Sequence, residues 1–162
     1  MNKKIVDSNQ LAQIADGCRQ RGHKLVLTNG CFDLLHLGHI RYLESARSLG
    51  DALVVAINGD DSARALKGDG RPVNRERDRA DVIAALECVD YVVIFPEVRV
   101  TRLLERVRPA IYVKGGDYTA ETLDPEERAA LGKIGAEIRI LPFEPGHSTS
   151  GLFERIKKLS SR

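Results

Sequence analysis

Short runs of β-branched and aliphatic residues alternate along this chain with segments of helical period, and that order constrains the fold more than any other feature. The β-rich runs fall at 25–28, 53–57, 91–95, 110–113 and 137–141. Between them, apolar residues recur at helical spacing, as in Ile40, Leu43, Ala46 and Leu49, and again in Val82, Ile83 and Leu86. Parallel neighbours cannot be joined by a hairpin and need a crossover of a dozen or more residues. The alternation therefore predicts an α/β fold, a single parallel five-stranded sheet with helices on both faces. Ahead of the first strand, residues 9–20 repeat apolar side chains at Leu11, Ile14, Ala15 and Cys18 and run out near Gly22. That pattern predicts an amphipathic helix with a glycine stop, packed on the sheet as an addition to the core. At 162 residues the chain has the length of one ordinary domain, with 1–23 expected as the leading segment and 24–158 as the core.

Charge narrows the partners. The 25 Lys plus Arg and 23 Asp plus Glu leave a net charge of +2, which gives no general reason to bind nucleic acid or an anionic membrane, so any anion must be met locally. The longest apolar run, 52–57, has six residues against the roughly 20 that cross a bilayer. The N-terminus has the basic pair Lys3 and Lys4 but no apolar stretch of a secretory signal, so a cytoplasmic location is expected. Cys18, Cys31 and Cys88 show no C-x-x-C spacing, which fits free thiols.

In an open parallel sheet, ligands bind beyond the carboxyl ends of the strands. After the first strand the chain reads Thr28-Asn29-Gly30-Cys31-Phe32-Asp33-Leu34-Leu35-His36-Leu37-Gly38-His39, with a helix expected from about Gly38. Imidazole donors and a helix N-terminus there suit an anion, and Gly38 leaves room for its close approach; alternatively, His36 caps the helix and His39 packs half-buried on it. Residues 64–79 carry Arg64, Lys67, Arg71, Arg75, Arg77 and Arg79. Arg75 and Arg77 read as a solvated face, whereas Lys67 and Arg71 bracket Gly68 and Gly70 in a loop that can fold a cation over a polyphosphate. After the fourth strand, Lys114-Gly115-Gly116-Asp117-Tyr118 offers a cation, a carboxylate and close backbone approach. After the fifth, Gly146-His147-Ser148-Thr149-Ser150 precedes a final helix with Leu152, Phe153, Ile156 and Leu159 on its apolar face; its hydroxyls either cap that helix or hold a phosphate. There is no P-loop, no G-x-G-x-x-G at the first turn and no G-x-S-x-G, which argues against P-loop kinases, dinucleotide redox enzymes and α/β-hydrolases.

The stretch 30–39 resembles the G-[TC]-F-D-x-x-H-x-G-H of the nucleotidyltransferase superfamily, and 146–150 resembles its C-terminal G-x-S-T-[TS] element. Within that superfamily, 28–33, 67–74 and 113–118 are most similar to the heptose 1-phosphate adenylyltransferase branch, and the resemblance spans about residues 24–158. It implies a Rossmann-like domain that transfers AMP from ATP to D-glycero-β-D-manno-heptose 1-phosphate, giving ADP-heptose and pyrophosphate for lipopolysaccharide core synthesis. By that resemblance His36 and His39 contact the ATP phosphates, Lys67 closes over the triphosphate and Arg71 touches the sugar phosphate. Gly30, Cys31, Phe32 and Gly38 line the nucleotide, together with Lys114, while Asp117 sits at the nucleoside end and Ser148 and Thr149 hold phosphate or ribose. Mg²⁺ bridges the triphosphate. Asp33 belongs to the motif, with loop-fixing and metal-linked roles both open.

Many members carry the domain behind a sugar kinase; here it is expected to stand alone, with a separate kinase as metabolic partner, and relatives often form homodimers. Two departures bear on specificity. Phe143-Glu144-Pro145-Gly146 stands where cytidylyltransferases have R-T-E-G, which removes an arginine that recognises the cytidine nucleotide and favours ATP over CTP. Cys31 replaces a threonine and is expected to pack, not to act as a nucleophile. Competing readings are a neighbouring transferase acting on glycerol 3-phosphate, a flavin or pantetheine phosphate, or a nucleotide-binding module without turnover.

Overall fold

A computed structural model of the chain describes residues 2–116 and 118–161. The leading helix α1 (Ser8–Gln20) opens with a capping box: the Asp7 carboxylate accepts from the amides of Asn9 and Gln10, and the Gln10 side chain accepts from the Asp7 amide. Its buried stripe is Leu11, Ala15 and Cys18, and the chain leaves it through Gly22 at a φ of +70°. The elements then follow as β1 (Leu25–Gly30), α2 (Leu37–Arg47), β2 (Ala52–Asn58), α3 (Asp60–Lys67), α4 (Glu76–Ala84), β3 (Tyr91–Phe95), α5 (Thr101–Val107), β4 (Ile111–Gly115), α6 (Pro125–Ile134), β5 (Glu137–Leu141) and α7 (Thr149–Ser160).

All four strand pairings are parallel, and the sheet order is β3-β2-β1-β4-β5. Alternate side chains of β1 and β2 feed opposite layers. Leu25, Leu27, Val54 and Ala56 pack under α1, α5 and α6 through Leu11, Leu104 and Leu131. Val26, Leu53, Val55 and Ile57 pack under α2 and α4 through Leu43, Ala80 and Ile83. Both faces are covered, which is why these central strands read as unbroken apolar runs in the sequence.

The five strands and the leading helix stand where the periodicity places them. The final helix differs. Ile156 and Leu159 are 50% and 72% exposed, and α7 has no buried residue. Its first turns meet the rest of the chain, with Phe153 beneath the Arg71 guanidinium at 4.4 Å.

Candidate functional site

Strand order reverses between β1 and β4: from β1 the chain winds outward through β2 to β3, then returns to the other side for β4 and β5. The two βα loops leaving this point diverge and open a crevice at the carboxyl ends. A cavity of about 730 Å³ fills it. Tyr42 of α2 holds the crevice floor together. Its hydroxyl donates to the Val113 carbonyl of β4 at 3.2 Å and lies 2.7 Å from Thr28 Oγ1 of β1, and burial pushes its pKa up to about 12. Beside it Tyr112 donates to Asn29 Oδ1 at 2.6 Å.

The β1–α2 loop crosses the mouth of this crevice. Phe32 adopts a φ of +47°, a left-handed conformation that costs a non-glycine residue about 1–2 kcal/mol. Its ring is held beside Gly30, where a Cβ would come within 3.1 Å of it, and 5.5 Å from the His39 ring. The strain is local to the segment that faces the cavity. Cys31 is half-buried, with Sγ 4.0 Å from Asn58 Oδ1; burial pushes its thiol up, against a downward pull from the Lys67 charge. A neutral, packed thiol agrees with the expectation that it is no nucleophile.

Three imidazoles meet at the start of α2. The His36 and His39 rings lie 4.0 Å apart, and His147, from the loop before α7, stacks on His36 at 6.3 Å and 21°. Gly38 makes this possible: a Cβ there would fall 2.9 Å from His36 Nδ1 and 3.0 Å from His147 Cβ. His36 is the N-cap residue of α2, but its side chain makes no capping hydrogen bond, so the capping alternative is not realised. Nδ1 of His36 and Nδ1 of His39 are buried without a hydrogen-bond partner, an uncommon state that asks for an explanation in function. Burial, then the neighbouring His36 and Lys67 charges, lowers His39 to about 4; burial, then His147, lowers His36. The lowering favours the neutral form of both rings, and the Lys67 charge is among its causes at His39.

Lys67 ends α3, and Gly68 and Gly70, at φ +93° and +80°, turn the following loop. Asp33 fastens that loop to the β1–α2 turn. Its carboxylate accepts from Arg71 Nε at 2.8 Å and from the amides of Val73 and Asn74 at 2.8 and 2.9 Å. Burial alone would raise its pKa, but the Asn74 and Val73 amides and the Arg71 guanidinium outweigh burial and hold it below the usual carboxylate range. With both oxygens committed, Asp33 is a loop-fixing residue.

The opposite wall comes from β4, β5 and the start of α7. Lys114 lies 3.6 Å from Glu127 and 5.2 Å from the Tyr118 ring centroid, so its charge is shared with a buried carboxylate. Ser148 is the N-cap of α7, accepting the Gly151 amide at 3.0 Å; the capping alternative is realised here, and its hydroxyl proton is left to donate outward. Thr149 follows on the same wall, and Phe143 lies across Gly115 and Gly116. The expectation for Asp117 falls outside the described residues. His36, Gly38, His39, Gly30, Cys31, Phe32, Lys67, Arg71, Lys114, Ser148 and Thr149 all line this one cavity.

His147 and Arg79 are among the residues that sequence reasoning misses. His147 carries no role in the motif, since its position in G-x-S-T-[TS] is the variable one. Arg79 is hidden in a charge run, yet it is 1% exposed. It donates to the Cys31 carbonyl at 2.6 Å, to the Asn74 carbonyl at 3.0 Å and to Asp60 Oδ1 at 2.9 Å. The signal that could find it is its spacing: Arg75 and Arg79 cannot both face solvent on a helix whose Ala80 and Ile83 are core. A second cavity, about 670 Å³ on the β3 side, is lined by Asp7, Asp60, Asp61, Glu76 and Arg77 among others.

The cytidylyltransferase-like family model matches residues 27–155. The chain is 46% identical over 153 residues to the bifunctional protein HldE of Geobacter metallireducens and 47% identical over 154 residues to that of Proteus mirabilis. These alignments take in 94% and 95% of this chain but 31% and 32% of the relatives, so the chain spans about a third of their length. Among solved structures, the lipopolysaccharide core biosynthesis protein of Thermoplasma volcanium is 32% identical at a TM-score of 0.63, covering 76% of this chain and 98% of its own. The pantoate-beta-alanine ligase of Francisella tularensis, at 16% identity and a TM-score of 0.57 over 91% of this chain and 69% of its own, shares the fold.

Proposed function

Since the chain belongs to the cytidylyltransferase-like family of nucleotidyltransferases, we propose that it moves AMP from ATP onto D-glycero-β-D-manno-heptose 1-phosphate. The products are ADP-heptose and pyrophosphate. The observation that carries the reading is the meeting of three imidazoles with Lys67 and Arg71 around one cavity at the reversal of strand order. The sugar acceptor is supported by the resemblance of 28–33, 67–74 and 113–118 and by a solved neighbour named for lipopolysaccharide core biosynthesis.

An oxygen of the sugar phosphate attacks the α-phosphorus in line, the bond from that phosphorus to the bridging oxygen of the β-phosphate breaks, and pyrophosphate leaves with the electron pair. The chain forms no covalent bond, so catalysis is positioning and charge stabilisation. His36 and His39, held neutral in the free protein, donate N–H bonds to the α-phosphoryl oxygens and the departing pyrophosphate. Lys67 and Arg71 close from the far side, Arg71 toward the acceptor phosphate. A Mg²⁺ bound with the nucleotide would be held chiefly by its phosphates and would neutralise their charge. Asp33, spent on the loop, does not fit the place of a metal ligand, and no step is assigned to the ion.

Two results follow. Anion binding favours the protonated ring, so His39, near 4 in the free protein, is expected to titrate higher with ATP bound; an imidazole NMR titration with and without ATP reads this directly. The same depression makes the free fold lose stability as pH falls from about 6.5, the unfolded value, toward 4, because only the unfolded chain takes up that proton. Gly38→Ala, which drives a methyl into His36 and His147, is expected to cut transfer by about 10²-fold with the circular dichroism spectrum retained. The reading as a whole is tested by pyrophosphate release from ATP against a set of sugar 1-phosphates, glycerol 3-phosphate, flavin mononucleotide and pantetheine phosphate. Release with a heptose 1-phosphate above all others supports it; release with another acceptor alone replaces it.

A further inference from the structure

Phe143 is the second most exposed large apolar side chain described, at 64%, and its ring lies over the end of β4. A Cβ on Gly116 would stand 2.0 Å from ring Cε2 and 2.5 Å from Cζ, and one on Gly115 would stand 3.4 Å from Cε1. Gly116 has a φ of +94°, so glycine is favoured there on conformational grounds as well as for space. The ring therefore lies against the bare backbone at the end of β4, and Phe143 borders the same cavity as His36, His39 and Lys67. An exposed aromatic ring at the border of such a cavity offers surface to a flat apolar partner.

We propose that the Phe143 ring, laid over Gly115 and Gly116, is the stacking platform for the base of the incoming nucleoside triphosphate and makes the site prefer purines. The proposal rests on the reading of the cavity as a nucleotide site. An arginine at this position would read the edge of a base by hydrogen bonds. A phenyl ring offers only its face, and its grip grows with the area of the base, so adenine is held better than cytosine.

The test is a calorimetric titration of the full chain and its Phe143→Leu and Phe143→Tyr variants with ATP, CTP and inorganic tripolyphosphate, which has the phosphates without a base. Phe143→Leu is expected to weaken ATP about tenfold or more and to flatten the ATP preference over CTP. Phe143→Tyr keeps both near the parent values, and tripolyphosphate binds all three chains alike. ATP affinity unchanged in Phe143→Leu overturns the proposal and leaves the phosphate site standing. Equal weakening of ATP and tripolyphosphate also overturns it, because the ring then acts only as a structural support. Failure of the parent chain to bind either ligand removes the nucleotide site itself, and the platform with it.

Discussion

His39→Ala is expected to lower nucleotidyl transfer by about 10²–10³-fold, the loss typical when one donor to a developing charge is removed, and to shift the melting temperature by only a few degrees. The ring stands 4.0 Å from His36 and 5.5 Å from Phe32, and its Nδ1 makes no hydrogen bond inside the protein. Among the described residues the fold therefore loses packing on its removal but no hydrogen bond at Nδ1, whereas on the proposed reading the reaction loses a donor to the phosphates. On that reading the interaction is stronger with the transition state than with bound ATP, so the fall belongs mainly in kcat and less in KM. Steady-state pyrophosphate release over a range of ATP concentrations, paired with a thermal melt, separates the two. A large drop in melting temperature with a proportionate loss of active protein would make His39 a structural residue.

The second large effect is on stability. Arg79→Met is expected to destabilise the fold by about 3 kcal/mol or more, because it strips three acceptors at once in a buried site. Those acceptors are the Cys31 carbonyl, the Asn74 carbonyl and Asp60 Oδ1. They belong to the β1–α2 loop, the segment before α4 and the start of α3, so one guanidinium ties together the pieces that carry the histidines and the Lys67 loop. In a chain of 162 residues such a loss lowers the melting temperature by roughly 6–12 °C. Arg79→Lys keeps the charge but cannot span three acceptors in one plane, so it recovers only part of the loss. Below its melting temperature Arg79→Met should show a raised KM for ATP, since the Cys31 loop borders the cavity proposed to hold the nucleotide. Denaturant unfolding with an unchanged slope checks the energetic statement. A Met variant as stable as the parent would mean that solvent replaces those hydrogen bonds.

The five parallel strands and the end of the sheet that carries the site are legible in the sequence, for a physical reason. A strand buried on both faces reads as an apolar run, and its crossover helix reads as a helical period, so 53–57 and 91–95 are visible at once. The cavity wall that carries His36, His39 and Lys67 is legible because imidazoles, glycines and cations crowd three short stretches at strand ends. What stays hidden depends on contacts far apart in sequence. Arg79 looks like one more solvent-facing cation until Asp60 and the Cys31 carbonyl are brought to it. Asp33 could be a metal ligand or a loop anchor until the Val73 and Asn74 amides claim its oxygens. His147 is four residues beyond Phe143 and over a hundred beyond His36, and no local pattern tells that it will stack on that ring. In α7 the apolar stripe has the period of a core-facing helix, but Ile156 and Leu159 face outward, because periodicity reports a face and not what covers it.

The central claim is that His36, His39 and the Lys67 loop grip a single triphosphate. A crystal structure with a non-hydrolysable ATP analogue tests it most directly. The account predicts phosphate oxygens within about 3 Å of ring nitrogens of His36 and His39, with Lys67 Nζ closing on the same phosphates from α3. Phosphates bound elsewhere, with both imidazoles and Lys67 left untouched, would contradict it.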